Sequence, residues 1–185
     1  MVVLFSACSK NDKPVIAFYY WKTNLKFSPT EKEILKENDV HKLYVRYFDI
    51  GLHPETQFPI PISPIHFQEN TQNFEIVPVV FIQNKVMLQT NLDIEDLAKK
   101  TIHLIEEINK KNKINYTEIQ IDCDWTLNSK DNYLKFIEQI KKFSQKKLSA
   151  TIRLHQVKYF RKTKIPNVDH GVLMFYNMGT IAPDS

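Results

Sequence analysis

An α/β chain carrying about six parallel strands of a TIM-type (β/α)8 barrel, without the barrel's C-terminal part, is the fold class the sequence predicts. Three observations predict it. Strand-like and helix-like segments alternate along most of the 185 residues, which implies parallel pairing through right-handed crossovers. The later strands are polar on one side and apolar on the other, whereas a strand in an open doubly wound sheet is covered on both faces and reads as continuously apolar. Six strands fall short of eight, and a whole barrel takes about 250 residues. The doubly wound sheet is the competing architecture, and strand polarity favours the barrel.

The elements follow in order. Residues 15–21 (VIAFYYW) are rich in aromatic and β-branched side chains and give a first strand. Ser28-Pro29-Thr30-Glu31 is a helix start, with Ser at the N-cap, Pro at the first helical position and Glu placed to complete a capping box; the helix runs to about residue 38. Residues 43–50 (LYVRYFDI) are the second strand. Residues 51–73 carry four prolines and no helical period, so they are expected as a long irregular excursion, of the kind that is functional or mobile. Residues 74–83 give a third strand. The clearest helix spans 93–111, with Ile94, Leu97, Ala98, Thr101, Ile105 and Ile108 in one apolar stripe. The fourth strand is 117–125, and the helix after it, 129–145, buries Tyr133, Phe136, Ile137, Ile140 and Phe143. Residues 147–155 and 171–178 complete the set. The domain organisation read from this is a tether over residues 1–14 and a partial barrel over residues 15–185.

Composition removes several function classes. Glycine occurs only at Gly51, Gly171 and Gly179, so no G-x-G-x-x-G or Walker loop exists to cradle a phosphate. The net charge of +4 comes from lysine, with Arg46, Arg153 and Arg161 the only arginines, a pattern of solvated helix faces and not of a nucleic-acid groove. His41, His53, His66, His103 and His170 form no metal-ligand spacing, and neither cysteine does. No cofactor and no metal is expected. Cys123 alternates with Ile119 and Ile121 and reads as a small core residue.

Cys8 reads differently. Leu4 or Phe5, Ser6 and Ala7 precede it, and the polar run SKNDK follows. This resembles the end of a bacterial lipoprotein signal peptide, shorter than usual and without its basic start. The resemblance implies lipidation of Cys8 and a protein held at the bacterial cell envelope, periplasmic or on the outer surface, that touches the membrane only through the anchor. A frayed terminus is the alternative. No later stretch is long enough to span a membrane.

The stretch IQIDCDW, residues 119–125, sets the functional question. Asp122 and Asp124 project to one side, about 6.6 Å apart at the rise of a strand. In a poorly solvated lumen they repel, so one should bind its proton more tightly unless a cation intervenes. Arg153 on the next strand is the expected counterion, with His155 one step nearer the mouth. The barrel's strand C-termini, where βα loops gather, are the expected site face.

IDCDW resembles the fourth-strand signature D-G-I-D-I-D-W-E of chitinase-like (family 18) glycoside hydrolases, and Met174-Phe175-Tyr176-Asn177 resembles that family's M-x-Y-D. The resemblance extends loosely over residues 15–179. It implies a barrel acting on N-acetylglucosamine polymers, with Asp122 and Asp124 as the aspartates that position the acetamido group, Tyr176 as the tyrosine and Asn177 in the place of an Asp. Thr126 stands where the family has its acid Glu, and Ile119 where it has its first Asp; a Thr hydroxyl is no general acid near neutral pH, so chitinase-type cleavage is in question. The sequence is also similar to a group of bacterial barrel proteins related to glycosidases, with a Q-x-D-x-D fourth strand and a Trp closing the first, here Trp21. The expected partner is a glycan or oligosaccharide. Catalysis by Asp122 and Asp124 stands beside non-catalytic sugar binding and a structural envelope role. Trp21 is a stacking platform or core; Arg46 is a lumen group or a structural pair; Asp122 with Arg153 is a site or a buried ion pair; His155 is an acid/base or a hydrogen-bonded lumen histidine. Asp49, ending the second strand, is a further candidate, and Trp125 should pack under the following helix.

Overall fold

The structure is a computed structural model and describes residues 14–175. Cys8, Tyr176 and Asn177 lie outside the described residues. In chain order the first elements are β1 (Ala17–Tyr20), β2 (Asn24–Leu25), α1 (Pro29–Glu37), β3 (Lys42–Leu52), β4 (Pro59–Ile62), β5 (His66–Phe67) and β6 (Glu75–Ile82). Then come α2 (Asn84–Met87), α3 (Ile94–Asn112), β7 (Glu118–Cys123), α4 (Lys130–Ser144), β8 (Lys147–Arg153), α5 (Leu154–Lys158), α6 (Phe160–Thr163) and β9 (His170–Met174).

Six strands pair in the order β1-β3-β6-β7-β8-β9, every one parallel to its neighbours. A doubly wound sheet reverses direction at a switch point and places helices on both faces. This order never reverses, so successive crossovers of one hand fall on one face and the sheet curls into a half-barrel.

Local chemistry sets the helix boundaries. The Ser28–Glu31 capping box forms as expected: the Glu31 N–H donates to Ser28 Oγ at 3.2 Å and the Ser28 N–H to Glu31 Oε2 at 2.7 Å. Asp93 caps α3 by accepting from the Asp96 N–H at 2.9 Å, and Lys113 (φ 55°) ends it in the left-handed region. Along the strands, side chains alternate between faces. Leu43, Val45, Ile76, Val80, Ile82, Ile119, Ile121, Cys123 and Leu148 turn outward into one buried core with Leu97, Ile102 and Ile105 of α3 and Tyr133, Phe136, Ile137 and Ile140 of α4. Trp125 is buried too and stacks on Tyr133 with ring centroids 5.5 Å apart. The stripe of α3 is wider than expected and takes in Asn109, whose Oδ1 accepts a 2.6 Å hydrogen bond from the Tyr47 hydroxyl.

Two expectations need correction. Residues 51–73 are more ordered than an irregular excursion: β3 continues to Leu52, the chain turns, and β4 returns antiparallel to it. The segment then runs back across the outer face of β3, where β5 pairs with β2. Ile65 is buried there, and Phe67 meets Tyr47 edge-on at 5.7 Å. The four prolines of this stretch deny it a helix, and the strap covers the apolar face a helix would have covered. The second correction concerns the fifth predicted strand. It ends at Arg153, because Gln156 Oε1 accepts the Arg153 N–H at 2.9 Å and starts α5. His155 therefore sits on a helix and not on the strand.

Phe136 is wholly buried between α4 and the sheet, so Phe136→Ala should cost about 3–5 kcal/mol of unfolding free energy, read as a lowered midpoint in urea.

Candidate functional site

The inward face of the half-barrel is built from the alternate residues. Register places Tyr19 beside Tyr44, Arg46 beside Val79, Val79 beside Gln120, and Phe81 beside Asp122. At the carboxyl ends of the strands this face carries Trp21, Arg46, Asp49, Asp122, Asp124 and Arg153.

Asp122 is partly buried and accepts a 2.6 Å hydrogen bond from Thr151 Oγ1. Thr151 is its cross-strand neighbour, since Ile121 pairs with Ala150 one residue earlier. Burial pushes the Asp122 carboxyl above the ordinary range, and the Asp124 charge adds to that; the Thr151 hydrogen bond and the Arg153 guanidinium oppose it. Asp124 lies one residue past the end of β7 and is exposed.

Arg153 does not pair with Asp122 as expected. It lies a pleat further along, where Nη1 stands 3.6 Å from Asp124 Oδ1 and Nη2 donates to the Trp125 carbonyl at 2.6 Å. His155 is near enough for that guanidinium to matter: burial and Arg153 both hold its imidazole below the usual value, so it favours the neutral form. Trp125 points away from this face, as the alternation requires.

On the other side of the mouth, a β-bulge in β3 between Arg46 and Phe48 inserts Tyr47 as an extra residue. The bulge turns Asp49 inward beside Arg46. The guanidinium grips both carboxylate oxygens, Nε to Oδ1 at 2.6 Å and Nη2 to Oδ2, while Nη1 reaches the Trp21 carbonyl at 3.4 Å. Arg46 is thus a structural pair that also ties down Trp21. The indole of Trp21 is partly exposed and stacks on Tyr19 (5.7 Å between centroids, 11° between planes). Tyr19 stacks in turn on Tyr44 at 4.9 Å. Burial raises the Tyr19 hydroxyl to about 12, so it stays a neutral donor.

Two more groups stand beneath the mouth: Gln120, which the sequence places on the polar side of the strand with the two aspartates, and Glu118, which the sequence reading missed. Gln120 is fully buried on this face, yet neither its amide nitrogen nor its oxygen has a hydrogen-bond partner among the described residues. Glu118 closes the lower end. Its carboxylate accepts from Lys42 Nζ at 2.8 Å and from Ser149 Oγ at 2.6 Å. Burial works against its charge, but the Lys42 and Ser149 hydrogen bonds prevail and hold its carboxyl below the ordinary range. The inward phase of Glu118 was readable from Gln120 and Asp122; its distant partner Lys42, on another strand, was not.

Thr126 carries no acid to the mouth. Its N–H donates to Ser129 Oγ at 2.9 Å, and Ser129 Oγ donates to Asn84 Oδ1 at 2.5 Å, so this loop is a structural knot between α2 and α4. Three cavities of about 500, 480 and 600 Å3 exist elsewhere, none lined by Asp122, Asp124 or Arg153. The carboxylates stand on an open concave face. Among the described residues no group of three His, Cys, Asp or Glu side chains is placed to hold a metal ion, and no helix is long and apolar enough to cross a membrane.

Protein-family models and curated proteins returned no match to this chain. Among solved structures, the fold is similar to the chitinase domain of the spore coat protein CotE from Clostridium difficile, at a TM-score of 0.54 and 11% sequence identity. The alignment covers 99% of this chain and 56% of that one, so the chain spans just over half the length of its structural neighbour. At that identity the likeness is one of fold: a curled parallel half-barrel of the chitinase-like kind.

Proposed function

We propose that the chain is part of a TIM-type, glycoside-hydrolase-like barrel that binds a glycan at the carboxyl ends of its strands, with Asp122 and Asp124 against the sugar. Closing an eight-stranded ring around the six described strands takes two further βα units. The observation that carries this reading is the meeting, on one concave face, of an aromatic column (Trp21, Tyr19, Tyr44) with carboxylates and guanidinium groups. Aromatic faces stack on the C–H face of a pyranose, while carboxylates accept from ring hydroxyls and Arg donates to them. The fold likeness to a chitinase domain supports it. Tyr176 and Asn177 belong to the proposal through the sequence resemblance alone.

Hydrolysis is a second reading, favoured by the raised proton affinity of Asp122. With Thr126 in the place of the family's acid, Asp122 is the carboxyl best suited to carry a proton to a leaving oxygen. Asp124, one pleat nearer solvent and beside Arg153, is the second carboxyl of the pair. His155, held neutral, is a hydrogen-bonding neighbour at the rim.

A lipid-anchored protein of the bacterial cell envelope is part of the same proposal, supported by the run from Leu4 to Cys8 and the polar tether after it.

Titration calorimetry against a panel of oligosaccharides tests the site. Trp21→Ala should weaken binding about five- to thirty-fold, since stacking on one aromatic ring is worth on the order of 1–2 kcal/mol; no binding to any glycan by the unaltered chain overturns the proposal. If the site also cleaves, Asp124→Asn and Asp122→Asn should each abolish release of reducing ends while binding persists. Unchanged hydrolysis after both substitutions would leave the binding reading alone.

Asp122 also makes a pH prediction. Because the folded chain binds its proton more tightly than the unfolded chain, stability falls as pH rises through the interval between the two values. Asp122→Asn removes this penalty and keeps an acceptor for Thr151. The variant should therefore gain stability relative to wild type as pH climbs out of the ordinary carboxylate range, with the difference levelling off at higher pH in urea titrations.

Finally, Cys8→Ser should move the protein from the membrane fraction to the soluble fraction of its host cell; unchanged fractionation removes the anchor from the proposal.

A further inference from the structure

The thirty residues 139–168 contain no Asp or Glu, while Lys141, Lys142, Lys146, Lys147, Arg153, Lys158, Arg161, Lys162 and Lys164 all fall within them. Four of these cations gather in one place. The connection from β8 to β9 leaves the carboxyl end of β8 directly into α5 and α6, so Lys158, Arg161, Lys162 and Lys164 stand at the rim of the mouth. All four are exposed, and none has an ion-pair partner among the described residues. Lys130, opening α4 at the same end of the sheet, donates to the Lys162 carbonyl at 3.3 Å and adds a fifth cation, one with Asp131 3.9 Å away. Apolar side chains are interspersed: Phe160 is 53% exposed and Val157 45%.

The floor of the mouth is arranged the other way. Asp49 is gripped by Arg46, and Asp124 has Arg153 beside it. Asp122 is held by Thr151 and has no ion-pair partner among the described residues, so none of the inner carboxylates neutralises the rim, and Lys158, Arg161, Lys162 and Lys164 are left without a counter-charge among the described residues. Phe160 and Val157 give this basic rim apolar surface beside its charge, the combination that an anionic, ring-bearing polymer can use.

We propose that the α5–α6 rim is the docking surface for the flanking units of an acidic polysaccharide, one bearing carboxylate, sulfate or phosphate groups, whose less charged stretch lies over Trp21 and Asp122. Lys158, Arg161 and Lys162 meet the anionic groups, and Phe160 lies against a ring face. This rests on the glycan reading of the mouth and adds to it the charge class of the ligand. An anionic lipid surface is the competing partner of such a patch; the rim's continuity with the mouth favours the glycan, since a bilayer pressed onto this rim would obstruct the mouth.

The test uses matched pairs of oligomers, hexagalacturonate and hexamannuronate against their methyl esters, which keep the rings and remove the charge. The full chain should bind an acidic member at least about tenfold more tightly than its ester at low salt, with the advantage shrinking as salt rises. K158S/R161S/K162S should abolish the preference and leave binding of the ester unchanged, whereas K158R/K162R should retain it; circular dichroism melts confirm that each variant folds. Trp21→Ala should weaken acid and ester alike. Equal affinity for acid and ester, or a preference that survives the triple substitution, overturns the rim proposal and leaves the mouth reading intact. Binding to phosphatidylglycerol vesicles lost in the triple variant, with no preference for acidic sugar, overturns it in favour of a membrane. Failure of every acid and ester to bind overturns the rim proposal, and the mouth reading falls with it only where the wider oligosaccharide panel also fails to bind.

Discussion

Everything at the mouth depends on the two-residue period of β7 within a sheet that winds in one direction only. Ile119, Ile121 and Cys123 take the outer phase and are covered by α3 and α4; Glu118, Gln120 and Asp122 take the inner phase. A helix laid on the inner phase would bury two carboxyls and an amide against apolar side chains, at a cost of several kcal/mol. The strand order forbids that arrangement anyway, because crossovers of one hand that never reverse keep every helix outside. Two like charges therefore stand where a buried strand runs because one side of that strand is not core. It is the concave wall of a half-barrel.

The lower end of that wall is closed by charge and not by apolar packing. Lys42, Glu118 and Ser149 bring three strands together through hydrogen bonds of 2.6–2.8 Å, and the Tyr44 hydroxyl leans toward Glu118 from 3.4 Å. A buried ion pair of this kind contributes little net stability, since desolvation offsets most of its attraction, but removing one partner strands the other. Its effect is positional. With β3, β7 and β8 tied below, Gln120 is held above the plug with an amide that has no hydrogen-bond partner among the described residues, a buried polar group of the kind that water or a ligand group satisfies. The half-barrel's polar interior thus has a sealed end and an open end, and the open end is where Asp122 and Asp124 stand.

Much of this was legible in the sequence, and the parts that were not share a cause. The capping box at Ser28, the apolar stripe of α3 and the phase of β7 are encoded within a few residues of one another, where periodicity and short-range hydrogen bonding decide the outcome. The bulge at Tyr47 is not local in that sense. Simple alternation from Leu43 and Val45 sends Asp49 outward with Tyr47; the extra residue reverses it. One signal was available: Tyr47 and Phe48 are adjacent large aromatics, which a regular alternating strand would place on opposite faces. His155 was misplaced by extending the phase of Ser149, Thr151 and Arg153 past the strand's end, a boundary set by the Gln156 side chain. The partner of Arg153 was misjudged because register, and not polarity, decides who faces whom: Thr151 faces Asp122, and the next inward residue reaches Asp124. The strap over β3 follows from prolines that the sequence displayed; the pairing of β5 with β2 does not.

Asp124 combines an exposed carboxyl with a backbone fixed on both sides, and that combination gives the mouth its usable geometry. Its neighbour Trp125 is buried and stacked on Tyr133, which anchors the loop from below. From above, Arg153 Nη2 takes the Trp125 carbonyl while Nη1 faces Asp124. A planar guanidinium can make both contacts at once; an ammonium group, lacking a rigid fork, cannot hold them in the same way. Across the mouth Arg46 does the equivalent for Asp49 and the Trp21 carbonyl. Each arginine thus sets its charge against one carboxylate and one further N–H against the carbonyl of a tryptophan, while Arg153 Nε is left buried without a partner among the described residues. Hydrogen-bonding groups held this way lose little freedom when a ligand arrives, which is what a polar site needs to select an orientation. The mouth is asymmetric for the same reason: with the charge of both floor arginines set against carboxylates, the cations without an ion-pair partner are those of the rim, Lys158, Arg161, Lys162 and Lys164 among the described residues.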